Sequence, residues 1–499
     1  MRTAFVTPEV MPFSKTGGLA DVARALPLAL TGCGIECTVF TPLYRQAKKR
    51  LQDNGEAGER IRLDDPVWIG DNAQVLSYRV FSQLEPQVVF IEHDWYYDRS
   101  HCYLGVDGKD YADNVARYAF FSRAVLEYCR QVDDSFALFH VNDWQSALIP
   151  VYLKKLYADQ TGRFKPSLLT VHNIGYPGLF PAEQLYATGL DWDTFTPEGL
   201  EYYGQLNLLK GGIVWADAVN TVSPTYALEI QTAEQGMGLD GVLAHHNDKL
   251  SGILNGIDYS QWNPETDPHL PANYVARNRS GKKACKKRLQ YEMNLPVRAN
   301  VLLLGVISRL DRQKGIDLLL DAFGQIAGLD VQLVVLGSGD RQTEGRLAEL
   351  ATRFPEQVAV ELGYDEPLAH RIIAGCDAFL MPSLYEPCGL TQMYSHRYGT
   401  VPIVRATGGL KDTVVDYTAR RLNNGQASGF SFHEPQPAPL AEAIARAARL
   451  YFTDRRSWNK LSRRIMRIDH SWNNSAAAYA QLYQQLVEAN QTTTGASHG

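Results

Sequence analysis

The chain has 499 residues, of which 45% are hydrophobic and 21% are charged, and these values are close to those of folded globular proteins. The composition excludes a wholly disordered, collagenous or coiled-coil chain, and the length accommodates two or three domains. The formal net charge of −6 disfavours a nucleic-acid-binding protein, and the longest apolar runs are too short to cross a membrane.

Short apolar runs with β-forming residues alternate with longer helix-like segments from the first residues onward. The first series of runs lies at 3–6, 35–40, 88–91, 137–141, 168–171 and 218–222. A second series follows a proline-rich connection at 262–271 and lies at 301–307, 331–336, 378–381, 401–404 and 429–432. Near-continuous apolar strands separated by helices are typical of parallel, doubly wound sheets. The sequence therefore predicts an α/β protein with two Rossmann-like domains.

The predicted domains cover residues 1–255 and 256–472. Residues 473–490 are predicted to form a C-terminal helix that docks one face on a core, because their apolar side chains recur at helical spacing. Either domain could receive this helix, and one option is that it packs back on the first domain. The polar, small residues at 491–499 are predicted to be disordered. The basic run at 282–288 is predicted to be a solvated helix face, with an anionic partner as the alternative.

The first residues are typical of a strand and include neither a signal-peptide apolar region nor a transit peptide. Seven cysteines, odd in number and widely spaced, fit reduced thiols better than disulfides. We therefore expect a cytoplasmic protein without nucleic-acid or membrane partners. No feature of the sequence specifies an oligomeric state.

A lysine and two adjacent glycines follow the first predicted strand. They are Lys15, Gly17 and Gly18, and apolar residues at helical spacing begin at Leu19. A strand, a glycine pair and a helix start would place free backbone N–H groups at the carboxyl edge of a sheet, where an anion binds favourably. A tight turn beside a solvated lysine accounts for the same residues equally well. The first predicted strand is not followed by G-x-G-x-x-G, and the sequence has no Walker A, H-E-x-x-H or G-x-S-x-G motif, so the corresponding enzyme classes are disfavoured.

In the second domain, charged and glycine residues again follow predicted strands. Arg309 and Lys314 follow the first strand, Gly337 and Gly339 follow the second, and Glu386 lies in the loop after a third. Two cations and two glycines at strand ends suit a pyrophosphate and its nucleoside. An ionised Glu386 would accept hydrogen bonds from sugar hydroxyls, or it would cap the helix that follows.

Together these motifs resemble those of the bacterial glycogen synthases and plant starch synthases, which are retaining glucosyltransferases of the GT-B fold. The matching segments are 15–19 (KTGGL), 170–173 (TVHN), 221–226 (TVSPTY), 254–258 (LNGID), 308–315 (SRLDRQKG), 386–392 (EPCGLTQ) and 407–410 (TGGL). The resemblance runs in family order from residue 1 to about 490. It implies two Rossmann-like domains with an interdomain cleft. It also implies transfer of glucose from ADP-glucose to the non-reducing end of an α-1,4-glucan such as glycogen, with retention of configuration.

The resemblance also implies roles for individual residues. The implied catalytic residues are His172, Asp143, Arg309, Lys314 and Glu386. The implied donor-binding residues are Lys15, Gly17, Gly18, Asn255, Gly337, Gly339, Ser383, Cys388, Gly389, Leu390 and Thr391. Candidate acceptor contacts are Tyr103, Trp144 and Asp21, although aromatic clusters are more often part of a core. No cofactor or metal is expected, and the D-x-D pattern at 191–193 is interpreted as a coincidence.

The sequence departs from the family pattern at a few positions. Asn142 and Gln145 stand where the family often has histidines, so contacts with donor or acceptor differ there. Tyr394 stands where many retaining GT-B enzymes have a second glutamate. The lack of that glutamate resembles the glycogen and starch synthases rather than the sucrose-phosphate synthases. The alternatives are a glucosyltransferase that uses UDP-glucose or a small acceptor, and a weakly active isoform that binds or primes glucan.

Overall fold

The computed structural model of the chain describes residues 1–106, 108–158 and 164–495. The chain forms two compact units. The first comprises Met1–Val222, Ala227–Gly256 and Trp472–Gly499, and the second comprises Ser223–Tyr226 and Ile257–Ser471. The sequence-based boundary at 255/256 and the observed division after Gly256 fall in one irregular segment. In the described range 164–495, this segment has neither helix nor strand between Gly252 and Ser280.

The strands of both units are short, as expected for α/β proteins. In the first unit they are β1 (Arg2–Val6), β2 (Glu36–Pro42), β3 (Glu59–Ile69), β4 (Asn72–Phe81), β5 (Gln87–Ile91), β6 (Leu138–Asn142), β7 (Ser167–Val171), β8 (Leu179–Pro181), β9 (Glu201–Tyr202), β10 (Gln205–Asn207), β11 (Ala218–Thr221) and β12 (Leu250–Gly252). In the second unit they are β13 (Leu302–Ile307), β14 (Val331–Gly337), β15 (Val358–Leu362), β16 (Ala378–Met381), β17 (Val401–Arg405) and β18 (Phe430–Phe432).

Helices connect most of the parallel strands. They are α1 (Leu19–Thr31), α2 (Arg45–Asp53), α3 (Asp94–Tyr97), α4 (Asn114–Gln131), α5 (Leu148–Lys155), α6 (Leu185–Thr188), α7 (Leu208–Trp215), α8 (Pro224–Glu229), α9 (Asp240–His245), α10 (Ser280–Glu292), α11 (Ile316–Ile326), α12 (Arg341–Arg353), α13 (Glu366–Gly375), α14 (Thr391–Arg397), α15 (Gly408–Thr413), α16 (Ala419–Asn423), α17 (Pro437–Thr453), α18 (Arg455–Ile465) and α19 (Trp472–Gly495). Among the described residues, none of these helices has the length and apolar character needed to cross a membrane.

The main sheet of the first unit has the strand order β12-β11-β7-β6-β1-β2-β5-β4-β3. Strand β1 pairs in parallel with both β2 and β6, so the strand order reverses between β1 and β6. In open α/β sheets, ligands bind outside the carboxyl ends of the strands at such a reversal. The predicted parallel, doubly wound sheet is confirmed. The antiparallel edge formed by β3 and β4 was not predicted.

The C-terminal helix α19 belongs to the first unit. Its predicted apolar stripe includes Tyr479 and Tyr483, both fully buried against a core cluster that contains Phe5 of β1. The Nδ2 atom of Asn220 donates to the Tyr479 hydroxyl at 2.9 Å, which satisfies this buried polar group. The helix extends to Gly495. Residues 491–495 are therefore helical, and the predicted disorder of these residues is wrong. Residues 496–499 lie outside the described part of the chain.

The sheet of the second unit is parallel throughout and has the order β15-β14-β13-β16-β17-β18. Its strands are almost wholly buried because helices cover both faces, which explains their continuous apolar sequences. Strand β13 pairs with both β14 and β16, so the strand order reverses between β13 and β16. The loops after these two strands therefore lie at the position where α/β sheets bind ligands.

The basic run at 282–288 is not the fully solvated face that was predicted. Lys282 and Lys286 lie on the inner face of α10 and are buried. The Nζ atom of Lys286 donates to the Asp377 carboxylate at 2.6 Å, and that of Lys282 donates to the carbonyl oxygen of Ala374 at 2.9 Å. Lys283 and Lys287 remain exposed. Two of the five basic residues of the run therefore anchor α10 to the second unit.

Candidate active site

In the second unit, a buried ion pair joins the loops that follow β13 and β16. The Nζ atom of Lys314 lies 2.9 Å from Oε1 and 2.8 Å from Oε2 of Glu386. The Ser383 hydroxyl donates to Oε2 at 2.9 Å. The Glu386 side chain is 7% exposed and that of Lys314 is 19% exposed. Three predicted site residues therefore come together at the reversal point of the second sheet.

The backbone holds this pair in a tight arrangement. Gly315 has a φ of 64°, and a Cβ atom at this position would collide with the carbonyl oxygen of Pro382. A residue with a side chain would therefore separate the two loops. The Asp311 side chain accepts from the Lys314 backbone N–H at 3.2 Å and caps the start of the short 3-10 turn at Arg312–Lys314. The lysine is thus positioned by local turn geometry as well as by its ion pair.

The structure decides between the two interpretations of Glu386. The side chain does not cap α14, because the residue before that helix is Leu390 and α14 has no side-chain cap. Instead, the Glu386 carboxylate binds Lys314 and Ser383, and Glu386 itself lies five residues before the first residue of α14. Glu386 is therefore available as a hydrogen-bond acceptor in the site rather than as a helix cap.

The loop at 388–391 is held by Gln392, whose side chain is buried. Its Nε2 atom donates to the carbonyl oxygens of Cys388 at 3.0 Å and Gly389 at 2.8 Å. In a trans peptide the carbonyl and the following N–H point in opposite directions. The N–H groups of Gly389 and Leu390 consequently point away from Gln392. Thr391 is the first residue of α14.

Arg309 and the two glycines after β14 complete this edge of the second sheet. Arg309 is half exposed and lies 3.1 Å from the Asp311 carboxylate through Nη1, while its Nη2 donates to Gln313 at 3.2 Å. Gly339 forms a bridge with Leu310, and side chains at Gly337 or Gly339 would collide with the backbone of the Arg309 loop. The backbone N–H of Gly339 is occupied by Glu344 at 2.9 Å.

In the first unit, a carboxylate that sequence reasoning missed binds the loop after β1. Glu9 is 3% exposed, and its carboxylate accepts from the backbone N–H and the hydroxyl of Thr16. The sequence predicted that backbone N–H groups of this loop bind an external anion. One of them, the N–H of Thr16, instead donates to the carboxyl group of Glu9. Burial raises the pKa of Glu9 to about 7, and the nearby Asp143 carboxylate acts in the same direction. The position of Glu9, three residues after the first strand, was the available sequence signal.

Lys15 and Asp21 form an ion pair on the outer side of the same loop. The Lys15 Nζ atom lies 2.8 Å from Asp21 Oδ1, and both side chains are partly exposed. Gly17 and Gly18 are exposed, and Gly18 precedes the first residue of α1. The lysine is therefore paired rather than freely solvated, and its predicted binding of an anion stays a prediction.

Asp143 follows β6 and has a φ of 56°, which is uncommon for a residue with a side chain. Its Oδ1 atom accepts from the His172 backbone N–H at 2.7 Å. Burial raises the pKa of Asp143 to about 7. Asp143 and His172, both predicted catalytic residues, are therefore adjacent at the reversal point of the first sheet.

Asn142 fixes the state of the His172 ring. The Nδ2 atom of Asn142 donates to the Val6 carbonyl oxygen at 3.0 Å, so its Oδ1 faces His172 Nε2 at 2.9 Å as an acceptor. Burial lowers the pKa of His172 to about 3, so the ring is neutral. Because Oδ1 can only accept, His172 carries its proton on Nε2 and leaves Nδ1 as an acceptor. The departure from the family pattern at Asn142 thus sets a tautomer.

The remaining predicted residues of the first unit lie in different surroundings. Trp144 is buried between Tyr118 and Phe180, so its ring belongs to the core rather than to an open stacking face. Tyr103 is half-buried, and within the described residues its hydroxyl has no hydrogen-bond partner. Asn255 follows β12 at the edge of the sheet, and its buried Oδ1 likewise has none among the described atoms.

Two family models match the chain. The starch synthase catalytic domain matches residues 2–245, and glycosyl transferases group 1 matches residues 293–464. The glycogen synthase of Syntrophotalea carbinolica is 44% identical, over 98% of this chain and 99% of its own length. That of Thermotoga maritima is 41% identical over the same shares. The catalytic domain of starch synthase IV from Arabidopsis thaliana, bound to ADP and acarbose, superposes with a TM-score of 0.86. It is 33% identical, over 97% of this chain and 99% of its own.

Proposed function

Since the chain belongs to the glycogen and starch synthase family of glycosyltransferases, we propose that it transfers glucose from ADP-glucose to the non-reducing end of an α-1,4-glucan with retention of configuration. The observation that carries this proposal is the Lys314–Glu386–Ser383 cluster at the reversal point of the second sheet. This arrangement combines a cation for a diphosphate with a carboxylate for sugar hydroxyls.

The hydrogen-bonding capacity of this cluster supports a bound nucleotide sugar. A lysine ammonium has three donors, and the two oxygens of Glu386 use two of them, so one remains for a phosphate oxygen. Among the described residues, Oε1 of Glu386 accepts only from Lys314, and it therefore keeps acceptor capacity for a sugar hydroxyl. Lys314 would thus hold the phosphate side of the bond that breaks, and its partner Glu386 would hold the sugar side.

The electrostatics suit the departure of a diphosphate. Breaking the glycosyl–phosphate bond places negative charge on the leaving group and positive charge on the sugar. Fixed cations at Lys314 and Arg309 stabilise the first, and removing one such group costs about 3 kcal/mol in an enzyme site. The buried Glu386 carboxylate stabilises the second.

His172 would act as a neutral group rather than as a general acid. Its pKa of about 3 keeps the ring uncharged at the pH of a cell. With Nε2 bound to Asn142, the Nδ1 lone pair is suited to accept a hydrogen bond from a sugar hydroxyl. The roles implied for Lys15, Asp143 and Asn255 stay predictions, as does the expectation that no metal or cofactor takes part.

Support for ADP as the nucleotide comes from the relative in Arabidopsis thaliana, whose structure is bound to ADP. We therefore propose ADP-glucose as donor and a glycogen-like glucan as acceptor. The test is nucleotide release by the purified chain from ADP-glucose and from UDP-glucose, each with and without glycogen.

Release of ADP that depends on glycogen and accompanies glucan elongation is the expected result. Faster release from UDP-glucose would contradict the donor assignment while leaving the transferase activity intact. Release without glycogen would indicate hydrolysis, self-priming or another acceptor. No release from either donor would refute the enzyme and favour an isoform that only binds glucan.

A further inference from the structure

A strongly cationic pocket lies on the second unit, between α18 and the loop that follows α16. It is open to solvent on one side and has a volume of about 790 Å³. Five lining residues are cationic: Arg456, Lys460, Arg463, Arg464 and Arg467. The remaining lining residues are Leu422, Asn423, Gly425 and Ile468. The lining, which lies within the described range 164–495, thus includes no aspartate or glutamate. The pocket is thus a concentration of positive charge without an internal counter-charge.

The cations share one face because of their spacing. Residues 456, 460, 463, 464 and 467 recur at intervals of three and four, which places them side by side along α18 and the turn after it. The helix dipole favours cations in the last turn, where Arg463 and Arg464 lie. It does not account for Arg456 and Lys460 in the earlier turns. Like charges at this spacing repel one another, so the stripe destabilises the isolated helix.

The hydrogen bonds of these side chains go to neutral groups, although Arg456 also interacts electrostatically with the Asp454 carboxylate at the start of α18. Lys460 donates to the Asn423 side-chain oxygen at 3.0 Å, and Arg464 donates to the backbone carbonyls of Ala427 and Gly425. These acceptors are neutral. Across residues 1–106, 108–158 and 164–495, none of the five forms an ion pair. By contrast, Arg346 of the same unit pairs with two aspartates.

The pocket lies away from the residues proposed to bind the donor. Arg464 holds the backbone at Gly425 and Ala427, just before β18 begins. Lys314 and Glu386 instead follow the ends of β13 and β16. Since all six strands are parallel, the pocket lies at the amino edge of the sheet and the donor residues lie at the carboxyl edge. The two sets of cations are therefore separate sites.

The shape and charge of the pocket define the class of ligand. Its volume lies within the range of small-molecule sites, about 300 to 1,000 Å³. Arginine side chains bind phosphate oxygens through paired N–H donors. We infer that this pocket binds a small phosphorylated ligand that carries at least two phosphate groups, such as a bisphosphate, a pyrophosphate or a nucleotide.

The test is calorimetric titration of the full chain with inorganic pyrophosphate near physiological salt. It compares the wild type with the pocket variant Arg463→Glu/Arg467→Glu. The matched control is Lys283→Glu/Lys287→Glu, which reverses two exposed charges at the same i, i+4 spacing on α10 of the same unit. Both variants change the net charge equally, so a general electrostatic effect acts on both. Binding of pyrophosphate at the donor residues should be retained in both variants, because neither variant changes those residues.

We expect the wild type and the control to bind one more pyrophosphate than the pocket variant does, or at least tenfold more tightly at that site. Parallel titrations with a hexose bisphosphate and a nucleoside triphosphate identify which phosphorylated class binds best. Thermal unfolding checks that the pocket variant is folded. If it is not, Arg463→Gln/Arg467→Gln removes the charges without reversing them.

Identical isotherms for the wild type and the folded pocket variant would overturn the inference. So would binding of a DNA duplex or of anionic vesicles by this face without any pyrophosphate binding, because the occupant would then be a macromolecular surface rather than a small ligand.

Discussion

Replacing Glu9 by glutamine should change the pH dependence of the stability of the first unit. Burial raises the pKa of this carboxyl from 4.5 to about 7 in the folded chain. A raised folded-state pKa means that folding favours the protonated form. The stabilisation is therefore fully present below the unfolded pKa and is lost as the pH rises through about 7. Glutamine cannot ionise, so the Glu9→Gln variant should lack this loss.

The magnitude follows from the two pKa values. Ionisation of Glu9 in the unfolded chain lowers the free energy of unfolding by about 0.8 kcal/mol at pH 5 and by about 3.3 kcal/mol at pH 8. Relative to the wild type, Glu9→Gln should thus gain about 2.5 kcal/mol of stability between these two pH values. The hydrogen bonds lost at Thr16 are a constant offset, because they affect the comparison equally at both pH values.

Amide hydrogen exchange of peptides from β1 and β6 measures this difference within the first unit, which avoids treating a chain of two units as a single transition. The matched control is the exposed Glu183→Gln, which should behave like the wild type at both pH values. Parallel pH profiles for Glu9→Gln and the wild type would refute the claim that this carboxyl is buried in a form that resists ionisation.

Further predictions concern the site itself. Lys314→Met should lower the transfer rate about a hundredfold or more. By leaving the buried Glu386 unpaired, it should also destabilise the second unit by about 3 kcal/mol. The exposed Lys283→Met is its control, and equal rates of the Lys314→Met variant and the wild type in steady-state assays would contradict the assigned role. Asn142→Leu removes the acceptor of His172 Nε2, so the ring should no longer be held with its proton on Nε2, and transfer should slow. The ¹⁵N chemical shifts of the ring report the tautomer. An unchanged tautomer would contradict the hydrogen-bond assignment. Removal of divalent metals with a chelator should leave the transfer rate unchanged, and a loss restored by Mg²⁺ or Mn²⁺ would contradict the expectation that no metal takes part.

The parallel strands of both sheets could be predicted because burial on both faces requires continuous apolar runs, as in 301–307 and 331–336. The sequence did not predict seven strands: β3, β4, β8, β9, β10, β12 and β15. Two of them, β3 and β15, show why. Most residues of β3 are exposed and polar, and β15 ends in two exposed residues at the edge of its sheet. Their strand structure depends on pairing with a neighbour, which the local sequence does not reveal.

The main charged residues of the candidate site were predicted because they lie in the loops that follow strands, as Lys314 and Glu386 do after β13 and β16. The role of Glu9 depends on its burial beside Asp143, which is a tertiary feature. The burial of Lys282 and Lys286 had a usable signal, since they share a helix face with the buried Cys285 and Leu289. Their positive charge suggested solvation instead, because lysines are seldom buried unless they are paired.

Position-specific labelling of the product tests the central claim most directly. The purified chain is incubated with ADP-glucose labelled in the sugar and with maltoheptaose, and the product is digested briefly with β-amylase, which removes maltose from non-reducing ends of α-1,4-glucans. The account predicts that the label appears in the first maltose released. Label that resists β-amylase, label at the reducing end or a product of unchanged length would contradict it.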